Sequence, residues 1–369
     1  MAEKLAANAA TKLSHVNVPP AQTWNYLRIN DIAFEVPAPV TKGEVLSRLP
    51  RLFDAVETGI GTEAASWIVS ASGDSRYVEV KAGTHRAEPI VVDVDAAAGT
   101  VCDTGVLVRE GAEATVVVAA HGTPAEAGTT AALVRIVAER RAHVTLVEVV
   151  ALGKGSQHLE GIGIDAAEGA MVDVRQYALG GEKVAMGICT NLAGRKARLT
   201  QDMRYLARGS EQLDVNHVVR QRGRLTKSEV VTSGILADAA HKTMRETIDL
   251  IHGAKGAEGR EIETVLVAGD DVVNKTLPTI LCDEDDVAGN HGASIGSISP
   301  EQLAYLADRG VSTADAEALF ARAIFDDAVI HAPEATSRNA ALSRAELVLG
   351  TEIARDVAEG LGLDEGEEH

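Results

Sequence analysis

Four phrases recur along the middle of this chain: VREGAEATVVV (108–118), VAERRAHVTLV (137–147), DAAEGAMVDVR (165–175) and LAGRKARLTQD (192–202). Each sets a polar turn ahead of an alanine that opens a strand of alternating residues. The alanines are Ala112, Ala142, Ala170 and Ala197, about 27 to 30 residues apart. A repeat of this length holds only a strand or two and a turn, so it cannot bury its own apolar face and must stack on its neighbours. Further short runs of the same kind, PIVVDV, GVLV, ALVRIVA, VVTSGILA and ETVLVAG, extend the pattern from about Tyr77 to the high 200s with no amphipathic helix between them.

Evenly spaced short strands fit a sandwich, a propeller or a parallel solenoid. Propeller blades need a longer period and aromatic signatures, and aromatics are only 3% of this chain. A solenoid tolerates that composition, because each coil packs Val, Ile, Leu and Ala against the next. The expected fold is therefore mainly β, a parallel β-helix over residues 76–297, between an N-terminal helical or irregular region (1–75) and a C-terminal helical region (298–369).

In the N-terminal region, residues 2–14 read as a short helix, followed by extended chain at the paired prolines and an apolar Trp24/Tyr26/Leu27 patch. Residues 41–59 read as a second helix broken at Pro50. In the C-terminal region Ser299 is an N-cap, Pro300 the first helical residue, Gln302 the far half of a capping box and Gly310 the stop. The next helix, 313–326, carries Ala316, Leu319, Phe320, Ala323 and Ile324 as one apolar stripe. A third places Leu349, Ile353 and Val357 on one face, and the last residues, LDEGEEH, read as a solvated tail.

A formal charge of −19, with no Lys/Arg cluster to override it, argues against nucleic acid or an anionic membrane surface as partner. Cys102, Cys189 and Cys282 are too far apart for a zinc ribbon or a disulfide framework, which fits a reducing cytoplasm. No apolar run approaches the length of a membrane span, and the first residues lack a signal peptide's apolar segment. There is no G-x-x-x-x-G-K-[ST] loop, and GIGIDAAEG has the wrong spacing for dinucleotide binding, so no ATP hydrolysis is expected of this chain.

The densest chemistry lies in LPTILCDEDDVAGNHGASIG, Leu277 to Gly296, which reads as a glycine-punctuated loop after an apolar run. It is no calcium hand, since Val287 stands where an oxygen ligand belongs. Asp283 and Glu284 read as a solvated turn, Asp285 and Asp286 are open, and Cys282 reads as a small buried hydrophobe sharing a strand face with Ile280. His291, flanked by Gly289 and Gly292, stands where backbone approaches closely and suits a ligand at an interface, although a purely structural role is the commoner fate of such a histidine. His217 and His241 read as solvent-facing or hydrogen-bonded.

QLDVNHVV (212–219), and above all Pro278 to Phe325, resemble the SufB/SufD family of iron–sulfur cluster assembly scaffold proteins. The resemblance implies a right-handed parallel β-helix between helical regions, a SufB-like paralogue as partner with a homodimer as the form in isolation, and a SufC-like ABC ATPase docked on the C-terminal helices. Of those helices, Phe320, Leu319 and Tyr305 are the candidate anchors. It further implies that His291 faces a transient iron–sulfur cluster at a subunit interface, with no cofactor held stably. His291 followed by Gly292 is the SufD pattern, whereas SufB has Glu after that histidine. The SufB cysteine would fall near Val272, where there is none, and the cysteine that many SufD chains carry two residues before the histidine is here Gly289. Cys282 matches neither. A carbohydrate-active β-helix enzyme is the rival from another class; it would need clustered carboxylates and aromatic platforms. A SufB-type scaffold and a cluster-free structural dimer are the remaining alternatives.

Overall fold

The computed structural model describes residues 10–20, 27–39, 46–123 and 127–360. From Arg76 to Gly296 the chain alternates between two eight-stranded sheets that face one another, and every strand is parallel to its neighbours in its own sheet. Sheet I runs from Ile90–Asp95 to Val287–Gly296, sheet II from Arg76–Val80 to Val273–Cys282. The result is the parallel β-solenoid expected from the repeat. Its lumen is filled by inward-facing residues such as Val116, Val134, Leu146, Ile162, Val174, Ile188 and Val215.

The repeat has a definite physical basis. Ala112, Ala142, Ala170 and Ala197 are all fully buried at the corners, where only a methyl group fits between one coil and the next. Before each stands a residue with left-handed backbone: Gly111 (φ 64°), Arg141 (φ 56°), Gly169 (φ 67°) and Lys196 (φ 61°). Glycine takes this conformation freely, while Arg141 and Lys196 do so at a cost of roughly 1 kcal/mol each. The conformation aims each N–H at the next coil's turn: Gly111 donates to the Arg140 carbonyl, Arg141 to Glu168, Gly169 to Arg195 and Lys196 to Arg224, all at 2.9 Å. Leu225 and Gly256 continue this column, donating to Lys255 and Asp286.

The N-terminal region departs from the sequence reading. Residues 10–13, expected within a helix, form the strand Ala10–Leu13, antiparallel to Phe34–Pro37. Burial of Leu13, Phe34 and Val36 against sheet II overrides the local helical preference. Residues 1–9, Trp24, Tyr26, 41–45 and the C-terminal tail lie outside the described residues. Of the helix expected at 41–59, the described part has only one turn of 3-10 helix, Arg51–Phe53, which Pro50 precedes. A helix that the sequence reading missed, α1 (Thr62–Ala71), buries Ala64, Trp67 and Ile68 against sheet II.

Four helices follow the solenoid: α2 (Pro300–Ala307), α3 (Thr313–His331), α4 (Ala335–Leu349) and α5 (Thr351–Gly360). Ser299 and Gln302 close both halves of the expected capping box, and Ser312 and Asp315 form a second. The stripe expected on α3 is displaced: the buried residues are Ala316, Ala321, Ile324, Phe325, Ala328 and Val329, whereas Leu319 and Phe320 are 60% and 51% exposed. Phe325 and Val329 lie farther along the helix and set the face that meets sheet I, where Val147, Tyr177, Leu206 and Ile235 receive it. Leu349, Ile353 and Val357 do not share one helix, because Gly350 (φ 91°) separates α4 from α5. Polar ties also fasten the helices to the sheet, among them Tyr177 Oη, which donates to Asp327 Oδ2 at 2.8 Å, and Arg344 Nε, which donates to the Leu179 carbonyl at 2.8 Å.

Phe325 is fully buried, so Phe325→Ala is expected to cost about 3–5 kcal/mol. Leu319→Ala should stay within about 0.5 kcal/mol. Urea unfolding of the two variants beside the parent protein checks both values.

Candidate functional site at the uncapped end

Leu277–Gly296 is not one loop. It is the second part of the strand Val273–Cys282, a four-residue acidic corner, and the strand Val287–Gly296. These are the last strands of sheets II and I, and among the described residues each is hydrogen-bonded on one side only. The final coil therefore offers two open edges of N–H and C=O groups. The change in burial follows: inner strands bury most of their residues, Val273–Cys282 is half-buried, and Val287–Gly296 is mostly exposed.

Parallel register fixes which side chains face the lumen. Along the last strand of sheet I, Gly289, His291, Ala293 and Ile295 pair with Gly259, Glu261, Glu263 and Val265, all four of which are buried. His291 thus continues an inward column, one strand spacing of about 4.8 Å above Glu261. On the facing strand the same parity selects Asn274, Thr276, Pro278, Ile280 and Cys282, above Lys242, Met244, Glu246, Ile248 and Leu250. His291 is exposed because no further coil among the described residues covers it.

Below this layer the lumen is polar. Lys242 and Glu263, both fully buried, form an ion pair, and Lys242 also donates to Thr276 Oγ1 at 3.1 Å and lies over the Tyr205 ring. Glu246 accepts from Thr232 at 2.7 Å, meets His217 Nδ1 at 3.3 Å and is hydrogen-bonded to Glu261. Burial, and then the charge of Glu246, push the Glu261 carboxyl up to about 10. Burial acts on Glu246 too, but hydrogen bonds from His217, Glu261 and Thr232 outweigh it and leave its pKa below the usual carboxylate value. The pair thus retains a proton between its two carboxyl groups. Burial lowers the Lys242 ammonium, with Glu263 opposing the shift.

The acidic corner differs from expectation at two residues. Asp283 is exposed, but Glu284 is half-buried and accepts the Gly253 N–H at 2.9 Å, which holds its carboxyl below the ordinary range. It closes the turn of the coil beneath. Cys282 is exposed and not buried: its strand position faces the lumen, but nothing stacks above it, and its Sγ donates to the Glu284 carbonyl at 3.3 Å. Cys102 is half-buried and Cys189 buried, and burial pushes both thiols up to about 12. His217 is buried and bonded to Glu246, and His241 is exposed at the start of its strand. Phe320, Leu319 and Tyr305 are all exposed, and Arg309 lies over the Tyr305 ring at 3.5 Å. Phe320 also lines a groove of about 540 Å³ with Ile235, Leu266, Ile324, Ser294 and Gly296, so α3 and the edge strand border the same groove.

The sequence reading overlooked Glu246, Glu261 and Glu263. The signal was in AEGREIETVLVA: Gly259, Glu261, Glu263 and Val265 share a parity, so a buried Val265 places both acids inside. No helix among the described residues is long and apolar enough to cross a membrane. Nor do those residues hold three or more His, Cys, Asp or Glu placed to bind a metal ion.

The family model for the SUF system FeS cluster assembly SufBD core domain matches residues 91–324, more than half of the chain and most of the solenoid. The chain belongs to the SufBD family. Among curated relatives, the iron-sulfur cluster assembly protein SufD of Escherichia coli is 24% identical over 248 residues, 65% of this chain and 59% of that protein. SufD of Bacillus subtilis is 28% identical over 130 residues, 35% of this chain and 30% of the relative. An iron-sulfur cluster assembly SufBD family protein of Mycobacterium tuberculosis is 25% identical over 305 residues, 79% of this chain and 76% of the relative. The chain thus spans under two thirds of either SufD protein. By these relatives it is a SufBD-family protein close to SufD.

The Glu261 shift fixes the sign of a pH effect. Its carboxyl holds a proton in the folded chain and loses it in the unfolded chain above about pH 4.3, so stability falls as pH rises toward 10. Glu261→Gln is expected to remove up to about 1.4 kcal/mol of that fall per pH unit. Urea unfolding at pH 6, 7, 8 and 9 measures it.

Proposed function

We propose that this chain is a SufD-like scaffold subunit of a cytoplasmic iron–sulfur cluster assembly complex, without turnover of its own. It pairs with a SufB-like paralogue through the uncapped end and with a SufC-like ABC ATPase through the C-terminal helices; alone it forms a homodimer by the same edges. The observation that carries this reading is the final coil, where two open strand edges flank an inward-facing His291. A second β-solenoid laid on those edges would satisfy their backbone groups and enclose the imidazole between the two lumens.

A nascent cluster is cargo and must be released, so its ligands have to be labile; an imidazole offered across an interface meets that need. His291 supplies one such ligand, and the partner would supply the others. The SufB-type alternative is disfavoured by Val272 and Gly292, which stand where a cysteine and a glutamate would be needed. A carbohydrate-active enzyme is disfavoured too: the clustered glutamates at this end are buried in the lumen, and the aromatic ring beside them, Tyr205, is itself fully buried and offers no exposed platform.

His291→Ala is expected to shift stability by no more than about 0.5 kcal/mol, because the side chain is exposed, while lowering cluster yield in the reconstituted complex. An unchanged yield would remove His291 from the proposal, and a large drop in melting temperature would mark it as structural. Phe320 tests the second contact. Truncating a good anchor costs about 2 kcal/mol of binding, roughly thirtyfold, so Phe320→Ala should weaken ATPase binding by that order with helical content intact. Retained binding, or loss of binding and helicity together, would exclude it as an anchor.

A further inference from the structure

Deep in the solenoid a separate polar group lies well away from the uncapped end. Glu148 points into the lumen from His143–Ala151 and Glu160 from Gln157–Ala166; both are fully buried, and their carboxyl groups are close enough to interact across the lumen. In register, Glu148 stands between Val118 and Gln176, and Glu160 between Ala132 and Met186, so three of the four flanking side chains are apolar. Gln176 Nε2 donates to Glu148 Oε2 at 3.1 Å, and His158 Nε2 lies 3.4 Å from Glu160 Oε2. His217 is the other ionisable group whose field reaches Glu148. No lysine or arginine among the described residues forms an ion pair with either acid. The Oε1 atoms of both glutamates are buried without a partner.

Two carboxylates in contact inside an apolar lumen repel one another, and neither has bulk water to screen its charge. Charge compensation must come from a nearby cation or from a proton. The nearest candidate cation is His158, and burial lowers it to about 4, so it is neutral at physiological pH, while His217 is already paired with Glu246. Burial and the facing carboxyl likewise raise Glu148 well above the ordinary carboxylate range, and burial raises Glu160. Protons are the remaining compensation, as in other buried carboxyl pairs that cannot both ionise.

We propose that Glu148 and Glu160 form a proton-binding site inside the solenoid, two carboxyl groups sharing protons from water and retaining at least one at neutral pH. Each uptake is a simple protonation, in which a carboxylate oxygen takes a proton from hydronium and leaves water, with no redox partner. The site lies within a line of polar side chains. Thr130 Oγ1 is 2.9 Å from His158 Nδ1, His158 leads to Glu160 and Glu148, and Gln176 accepts from Gln201 Nε2 at 2.9 Å. The two partnerless oxygens are places for ordered water. Outward from the same strand, Val147, Val149 and Ala151 join the apolar layer that receives α4, so the coil that holds Glu148 is also one of those that carry the helical unit. The proposal depends on neither the partners nor the cluster.

The test uses the full chain carrying Glu261→Gln, labelled with ¹³C at glutamate Cδ and titrated by NMR. At pH 8 at least one remaining glutamate carboxyl is expected to stay at the protonated chemical shift, and adding Glu148→Gln or Glu160→Gln should remove or move that signal. The folding equilibrium of either variant should also fall less steeply with rising pH, by up to about tenfold per pH unit for one proton. Every glutamate at the carboxylate shift at pH 8 would overturn the proposal even if neither variant folds. A protonated signal and a pH slope untouched by both substitutions would overturn it as well.

Discussion

The structure depends on one hydrogen bond repeated along one column of corners of the solenoid. A residue in left-handed conformation turns its N–H along the solenoid axis and gives it to the next coil's turn, from Gly111 to Gly256. This bond locks neighbouring coils in parallel register, and register decides which residue types meet inside. Alanine follows at most of these corners because a larger side chain would part the coils. A backbone satisfied only by its neighbours also explains the uncapped end, since the last coil gives its corner carbonyl, Asp286, to Gly256 and has no coil beyond it.

In-register stacking makes each lumen position a column shared by every coil. An apolar column reinforces itself, while a charged residue meets whatever stands one strand away and across the lumen. For Glu261 that is Glu246, and for Glu263 it is Lys242, which neutralises it. Buried pairs of this kind contribute little net stability against apolar residues of the same volume. Removing one member alone leaves the other uncompensated. The chain's charge of −19 gives no hint of this layout, because composition cannot separate acids in the lumen from those that coat the surface.

The solenoid was legible because its period is written in residue types that have a steric reason to be there: a turn, a small corner residue, and a strand with one buried face. Helix starts were legible for the same reason, since a capping box is a local interaction between Ser299 and Gln302. What stayed hidden depended on contacts distant in sequence. Ala10–Leu13 is a strand only because Phe34–Pro37 lies beside it, and α3 turns Phe325 inward because sheet I offers Val147 and Tyr177 there. His291 stood out by its flanking glycines, but its direction did not, because a segment read as one loop has no parity. Once it is a strand, the histidine and the acid beneath it follow from counting by twos.

The two contacts proposed for the chain are neighbours in space. Ser294 and Gly296 belong to the open edge strand and also line the groove that Phe320 enters from α3. Ile295, between them, is 53% exposed and faces the lumen side of the final layer. A solenoid laid on the edge would cover Ile295 and border the groove, so an ATPase seated over Phe320 would touch or nearly touch the same strand. Motion of the helical unit would then reach the edge through α3 packing, without any change inside the solenoid. The inner coils are too closely stacked to deform, with most inward residues fully buried, whereas the last strand is held on one side only. Compliance in this chain is therefore concentrated where His291 lies, as the proposed role of that residue would require.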